Sequence, residues 1–236
     1  MLITDSGDIM VQKGDIRQVE VERKLKLEYL YGERNRNKKL LDDVHALVSH
    51  FNDRKTSTKA LLQETADLIH KQLLIREVTI GIRSPSDGKY RYEVMSGLRP
   101  EAWKAHEGIE YTHEEFHNQS IFGGRWISKH TKVFLAEDEP FLEGEEDTFN
   151  RPILLKAHRR SVDDCIEGDY LDVDITAYDG NMLGWIEISG TREGRFPDSI
   201  CIRWLELIAS FLAIALQRDR ECEPERNIRA IGERSG

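Results

Sequence analysis

Two blocks of strict alternation, far apart in the sequence, constrain this chain most. Val78, Ile80 and Ile82 alternate with Glu77, Thr79 and Gly81, and Leu171, Val173, Ile175 and Ala177 alternate with Asp172, Asp174 and Thr176. A period of two puts successive side chains on opposite faces, the pattern of a half-buried strand. Each block runs into turn residues. Ser84-Pro85-Ser86-Asp87-Gly88 leads to a second strand over Lys89 to Met95, and Asp179-Gly180-Asn181 leads to the apolar strand Met182 to Ile188. The sequence therefore contains two antiparallel hairpins, and each needs something to cover its apolar face.

The covers are helical. Leu62, Ala66, Ile69 and Leu73 share one face of a helix over about 58–74, with Ser57 or Thr58 as its N-cap. Ile200, Trp204, Leu207, Ile208, Phe211, Leu212 and Ala215 share one face of a second helix over Ser199 to Arg218. Helices around hairpins make a layered α/β (α+β) domain with a central antiparallel sheet. Upstream, Leu40, Val44, Leu47 and Phe51, widened by Leu41 and Val48, form another helical stripe that must be buried against a partner helix or a domain face. The heptad pattern breaks at Asn35-Arg36-Asn37, so the sequence does not establish a long coiled coil. Asp5-Ser6-Gly7-Asp8 is a turn signal in a piece too small to fold alone. The expected organisation is a mostly helical extension and linker over 1–57, a domain over 58–218 and a polar tail over 219–236.

Charge and cysteine content narrow the function. The net charge is −9 and it is unevenly spread: 61–216 carries 17 basic against 28 acidic residues. An acidic body repels phosphate backbones and anionic lipids, so neither nucleic acid nor a membrane is an expected partner. The best apolar run, Leu207 to Leu216, falls short of the roughly 20 residues that span a bilayer. The start, Met1-Leu2-Ile3-Thr4-Asp5, lacks a basic segment followed by an apolar one. The expected location is the cytoplasm. Cys165, Cys201 and Cys222 are odd in number and form no C-x-x-C pair, which argues against a disulfide framework or a thiolate zinc site.

The order of these pieces resembles a GAF domain. The resemblance rests on the helix 58–74, the strand Glu77 to Ile82, and Tyr92 to Gly97 closing with Ser96-Gly97-Leu98. It continues in the strand and Asp-Gly turn leading to Leu183-Gly184-Trp185-Ile186, the loop Gly194-Arg195-Phe196-Pro197-Asp198 and the long final helix. In the middle, Gly124 to Lys132 resembles a short helix and polar turn before the strand Val133-Phe134-Leu135, with Glu137-Asp138 as its acidic exit. The resemblance covers about 58–218. Gln18 to Glu28 is similar to the charged linker that leaves a PAS domain, although no complete PAS domain is present.

Such a resemblance implies a small-molecule sensor fold, with dimerising helices on one face of the sheet and a ligand pocket on the other. It leaves the ligand and any cofactor unknown. It places the pocket under 121–138 and 148–170, where Trp126, His130, Phe134, Asp138, Phe149, His158 and Cys165 are the candidate contacts. Asp174 is added because it lies opposite Leu171 and Val173 together with Asp172. If that face lines the pocket, a carboxylate there suits a cationic or hydrogen-bond-donating ligand; otherwise it faces solvent. Bilin-binding relatives attach the chromophore to a Cys followed by His, whereas Ile166 follows Cys165; haem remains open through His130 or His158 without a supporting motif.

Two further constellations compete. His113-Glu114-Glu115-Phe116-His117 fits H-E-x-x-H, in which two histidines one helical turn apart grip zinc beside a general-base Glu. Thr112 and Glu115 have the spacing of a capping box for that helix. The segment leaves little more than two turns before Phe122-Gly123-Gly124, and a third ligand is not evident, although His130, Glu137 and Glu139 lie downstream. Glu137, Asp138, Glu139, Glu143, Glu145, Glu146 and Asp147 form an acidic run that lacks the ladder and central Gly of a calcium loop, and it reads as a solvated loop. No phosphate-cradling Gly-rich loop or Ser-His-Asp signal is present.

The expectation is a non-enzymatic sensing or regulatory module, a homodimer through its helices, that binds a small molecule and acts on a signalling partner. A ligand-free dimerisation scaffold and a zinc-dependent hydrolase using His113, Glu114 and His117 are the alternatives.

Overall fold

The computed structural model describes residues 23, 36–51, 56–118, 124–138 and 145–233. The expected turn at 5–8 and the PAS-like linker at 18–28, Arg23 apart, lie outside them. The chain divides into two units, 1–39 and Leu40–Gly236. Of the first, only Arg23 and the opening residues of a helix are described. The second holds the sheet and its core.

Both hairpins form where the alternation places them, as β1 (Val78–Arg83) with β2 (Tyr90–Ser96) and β6 (Tyr170–Thr176) with β7 (Met182–Ile188). They join into one sheet because β1 pairs antiparallel with β7, Ile80 opposite Ile186. Short strands β3 (Glu110–Tyr111), β4 (Arg125–Trp126) and β5 (Thr131–Phe134) extend it to seven strands in the order β3-β2-β1-β7-β6-β5-β4. Every pairing is antiparallel. The turns are built as their residues require: Gly88 and Gly180 take left-handed φ angles of 73° and 86°, and Asp179 accepts the backbone N–H of Asn181.

One face of the sheet is apolar and carries the helices α2 (Thr58–Gln72) and α6 (Ser199–Glu233), whose core α1 (Arg36–Phe51) joins. The short α3 (Pro100–His106) and α4 (His113–His117) belong to the other face, and the four-residue α5 (Arg151–Leu154) precedes β6. Ser57 caps α2 by accepting the N–H of Ala60. Val78, Ile80, Leu171, Val173, Ile175, Ile186 and Ile188 from the strands join Leu62, Ala66 and Ile69 of α2 and Leu205, Ile208 and Leu212 of α6 in a single core. Leu40, Val44, Leu47 and Phe51 of α1 belong to that core too, within the compact unit that begins at Leu40. Thr58 Oγ1 donates to Asp219 across the start of α2 and the middle of α6.

Two local expectations change. Residues 124–132 form β4, a bend and the start of β5 instead of a short helix; Ser128 accepts the N–H groups of His130 and Thr131, which favours a turn over helical pairing. The last helix does not stop at Arg218 but runs to Glu233, through a segment dense in Arg and Glu, both good helix formers, in which Pro224 leaves one bond of the ladder unmade. Within it, Ser199–Glu221 is long and apolar enough to cross a bilayer by length and composition, with a window of mean hydropathy 1.9. Leu205, Ile208, Ala209, Leu212, Ala215 and Leu216 of that stretch are buried in the core, which accounts for its apolarity.

Candidate functional site

The opposite face of the sheet is built from different chemistry. A β-bulge starts it. Ile80 faces Val94 while Gly81 faces Tyr92, which leaves Glu93 as an extra residue on β2. Val94 therefore packs with the helices, while Tyr92 joins Tyr90 on the other side. A similar shift in β7, where Thr176 faces Met182 and Ile175 faces Gly184, sends Leu183 to the helix side and Met182 to the aromatic side.

Trp185 is the centre of this second cluster. Its ring lies 4.8 Å from Phe116, 5.0 Å from Tyr92, 6.2 Å from Tyr90 and 6.3 Å from Tyr111, centroid to centroid. Edge and tilted contacts of this kind add to the stabilisation from burial alone. Phe116 is presented by α4 (His113–His117), whose capping box forms as its spacing predicts: Glu115 N–H donates to Thr112 Oγ1 and Thr112 N–H donates to the Glu115 carboxylate.

Carboxylates are buried among these rings. Tyr92 donates its hydroxyl proton to Glu187 at 2.8 Å, and Tyr111 donates to Glu145 at 2.8 Å. Thr79 reaches the other oxygen of Glu187 at 3.4 Å, and His106 Nε2 stands 3.8 Å from it. His106 lies in α3 (Pro100–His106), and its Nδ1–H donates to the Ala102 carbonyl, which leaves Nε2 facing the acid. Burial lowers the His106 pKa, but the Glu187 carboxylate, the Ala102 carbonyl and the charge of Glu77 together outweigh it and the net shift is upward.

Asp172 of β6 sits directly across from Glu187 and is only 8% exposed. Its Oδ1 has no hydrogen-bond partner among the described residues. Burial first, then the charges of Glu187 and Asp174, push its carboxyl well above the usual carboxylate range. Lys132, its cross-strand neighbour on β5, instead holds its ammonium over the Trp126 ring, 4.5 Å from the centroid.

A narrow cleft opens here, a space of about 20 Å³, room for about one water, between Tyr92, Tyr111, Phe116, Phe134, Trp185 and the polar groups of Asp172, Glu187 and Lys132. Tyr170 and Glu187 also line a second cleft, of about 30 Å³, which reaches His106, Phe149 and Glu77. Burial is the main cause of an upward shift in the Glu77 carboxyl as well.

The candidate contacts fall in several places. Phe134 lines the first cleft and stacks on Tyr170 at 4.5 Å, and Phe149 lines the second. Asp174 is half-buried on the cleft side of β6, one pair further from Glu187 than Asp172, and does not line either space. Trp126 is 47% exposed on the short strand β4. The backbone carbonyl of His130 accepts the Asp174 N–H in the bend before β5. Asp138 is exposed and paired with Arg125, and His158 is exposed in a loop. Cys165 is buried where its Sγ would meet a Cβ on Gly190. Residues 121–123, part of the region expected to cover the pocket, lie outside the described residues, as do Glu139 and Glu143 of the acidic run.

In the H-E-x-x-H segment, Tyr90 Oη and His113 Nδ1 are 3.2 Å apart and Glu114 is exposed; the side chain of His117 lies outside the described residues. Among the described residues no three His, Cys, Asp or Glu side chains cluster as a metal site would require. Tyr92, Tyr111, Phe116, Tyr170, Asp172, Trp185 and Glu187 were not among the expected contacts. Only the pairing of Asp172 with Asp174 in one alternating strand pointed toward any of them.

This architecture, a curled antiparallel sheet with helices on one face and short segments over the other, is the GAF fold. The chain is similar to the GAF domain of a phosphoenolpyruvate-protein phosphotransferase (ptsP) from Coxiella burnetii, with 16% identity over 77% of this chain and 95% of that one and a TM-score of 0.50. It is similar to the A. Aeolicus nlh2 GAF domain in an inactive state, with 12% identity over 78% and 99% and a TM-score of 0.50. It is also similar to bacteriophytochrome RpBphP3 from the photosynthetic bacterium R. palustris, with 14% identity over 86% of this chain but only 42% of that one and a TM-score of 0.51. At these identities the likeness is one of fold. No protein-family model and no curated protein matches the sequence.

Proposed function

We propose that this chain is a non-enzymatic sensory or regulatory GAF-domain protein that binds a small molecule in the cleft on the sheet face away from its helices. One observation carries the reading: a buried carboxylate oxygen, Asp172 Oδ1, without a partner among the described residues in an aromatic-walled cleft. A polar group desolvated without a partner costs stability, and a ligand that satisfies it recovers that cost. Homodimerisation is part of the proposal. Ile200, Leu207 and Ile214 of α6 are 60%, 42% and 68% exposed at seven-residue spacing, a stripe suited to the same helix of a second copy in the cytoplasm. A shift of α1 and α6 at that interface would carry the binding event to a signalling partner.

A thermal-shift screen of nucleotides and metabolites on the full chain tests the reading. A ligand that binds the native state alone at about 100 times its Kd adds about 2.7 kcal/mol and raises the melting temperature. A complete panel without any shift would favour the second reading, a dimerisation scaffold whose cleft is filled by its own rings. The close packing of four aromatic rings on Trp185 is the observation on that side.

A further inference from the structure

The lining of the first cleft also selects among ligands by charge. Asp172 and Glu187 face each other across β6 and β7, and both contribute to its wall. Glu187 takes its hydrogen bonds from the neutral groups of Tyr92 and Thr79, and His106 Nε2, 3.8 Å from it, lies on the side of the second cleft. Among the described residues no basic side chain lies within ion-pair distance of Asp172, since Lys132, the nearest by register, is drawn to Trp126. An anion entering here would meet two carboxyl groups, and an apolar ligand would leave Asp172 Oδ1 unsatisfied. Trp185 is only 1% exposed, its ring packed against Tyr92 and Phe116, so the aromatic surface open to a ligand is that of the half-buried Tyr92 and Phe116, where an ammonium gains from the ring quadrupoles.

We infer that this cleft is a site for a small organic cation, a primary ammonium that donates to Asp172 Oδ1 in the water-sized space and leaves its alkyl part at the mouth, against the half-buried rings of Tyr92 and Phe116. The inference rests on the sensing role proposed above and names the chemical class of its ligand. It has a linked proton. The groups that act on Asp172 are Glu187 of β7, Asp174 of β6 and Lys132 of β5, and with burial they push its carboxyl well above the usual carboxylate range, which favours the protonated form in the empty cleft. An arriving cation favours the ionised form, so binding releases a proton to solvent and tightens as pH rises.

The test uses the full chain and three isosteric probes, n-propylammonium, propan-1-ol and propionate, followed by tryptophan fluorescence and by calorimetry in buffers of different ionisation enthalpy. Saturable binding of n-propylammonium is expected, with the alcohol and the acid at least about tenfold weaker, and with proton release visible as a buffer-dependent heat. Asp172→Asn, which keeps the shape and removes the charge, should weaken n-propylammonium at least about tenfold without lowering the melting temperature. Propionate or propan-1-ol binding as well as n-propylammonium, or an Asp172→Asn chain that binds it unchanged, overturns the cation assignment. If n-propylammonium is silent while a neutral or anionic metabolite raises the melting temperature, the assignment fails and the sensing role stands. Silence in both experiments removes both.

Discussion

The indole of Trp185 lies across Gly81 on the adjacent strand so closely that a Cβ placed on Gly81 would fall 2.1 Å from Trp185 Cη2. The two residues are register partners, and Gly184, next to Trp185, is itself pressed against the Gly81 carbonyl. The absent side chain is what lets a large ring lie down over the middle of the sheet and become the floor of the cleft.

Gly81→Ala is therefore expected to destabilise the protein by about 1–3 kcal/mol, the usual cost of forcing extra volume into a packed site. Urea denaturation measures it. Adding Trp185→Leu should recover part of the loss, with a coupling of at least about 0.5 kcal/mol in a double-mutant cycle. Independent, additive effects would show that the ring and the glycine do not constrain each other.

Asp172 gives the stability a pH slope. The folded form keeps its proton to higher pH than the unfolded chain, in which the carboxyl titrates near its ordinary value. Its contribution is complete below the unfolded pKa, about 4, and is lost as pH climbs through the raised folded value. Asp172→Asn removes that slope. Between about pH 5 and about pH 8 the wild-type chain should lose more melting temperature than the variant. Parallel curves for the two proteins would contradict the buried-acid assignment.

Much of the fold was legible because it rests on period. Val78, Ile80, Leu171, Val173 and Ile175 alternate, Leu62, Ala66 and Ile69 recur at helical spacing, and all of them meet in one core. The site was not legible in the same way. Tyr92 faces the cleft only because Glu93 is a bulge, and a one-residue insertion in a strand reverses the side to which everything beyond it points. Tyr111 and Phe116 come from a two-residue strand and a five-residue helix, too short to show any periodicity. Trp185 and Glu187 sit in an otherwise apolar strand whose two faces could not be told apart before its neighbours were known. Asp172 and Asp174 were both visible on one side of β6, and register with Glu187 is what distinguishes the first from the second.

Arg159 holds the loop before β6. Its guanidinium bonds both oxygens of Asp169 at 3.0 and 2.9 Å, both oxygens of Glu137 at 2.9 and 2.7 Å, and the Asp164 carbonyl. The Asp169 side chain is fully buried and also accepts the N–H groups of Ala136 and Ile166. Arg159→Met leaves that carboxylate without its counter-ion and should cost about 2–4 kcal/mol, toward the lower end for a broken buried pair because the two N–H bonds remain. Arg125→Ala, which removes the solvent-exposed partner of Asp138, should leave the urea midpoint unmoved. Equal effects of the two substitutions would refute the distinction.

Cys165 is predicted to be inert in the native protein. Burial, followed by the nearby charge of Asp169, pushes its thiol pKa up to about 12, and only the thiolate reacts. Iodoacetamide at about pH 8 should leave the Cys165 peptide unmodified until urea is added, while Cys201, half-buried on α6, is alkylated sooner. Mass spectrometry of the digested protein reads both sites, and rapid native labelling of Cys165 would contradict its burial.

The last helix is continuous from Ser199 to Glu233, about 52 Å at the standard rise per residue. Its first part is clamped to the strands, with Leu205, Ile208 and Leu212 wholly buried. Thr58 and the Arg83 carbonyl hold it through Asp219 and Arg220, so only about 20 Å of helix, Glu221 to Glu233, stands beyond those contacts. Pro224 has no N–H for the helical ladder there, and a kink at that point would take up a tilt arriving from the strands rather than magnify it.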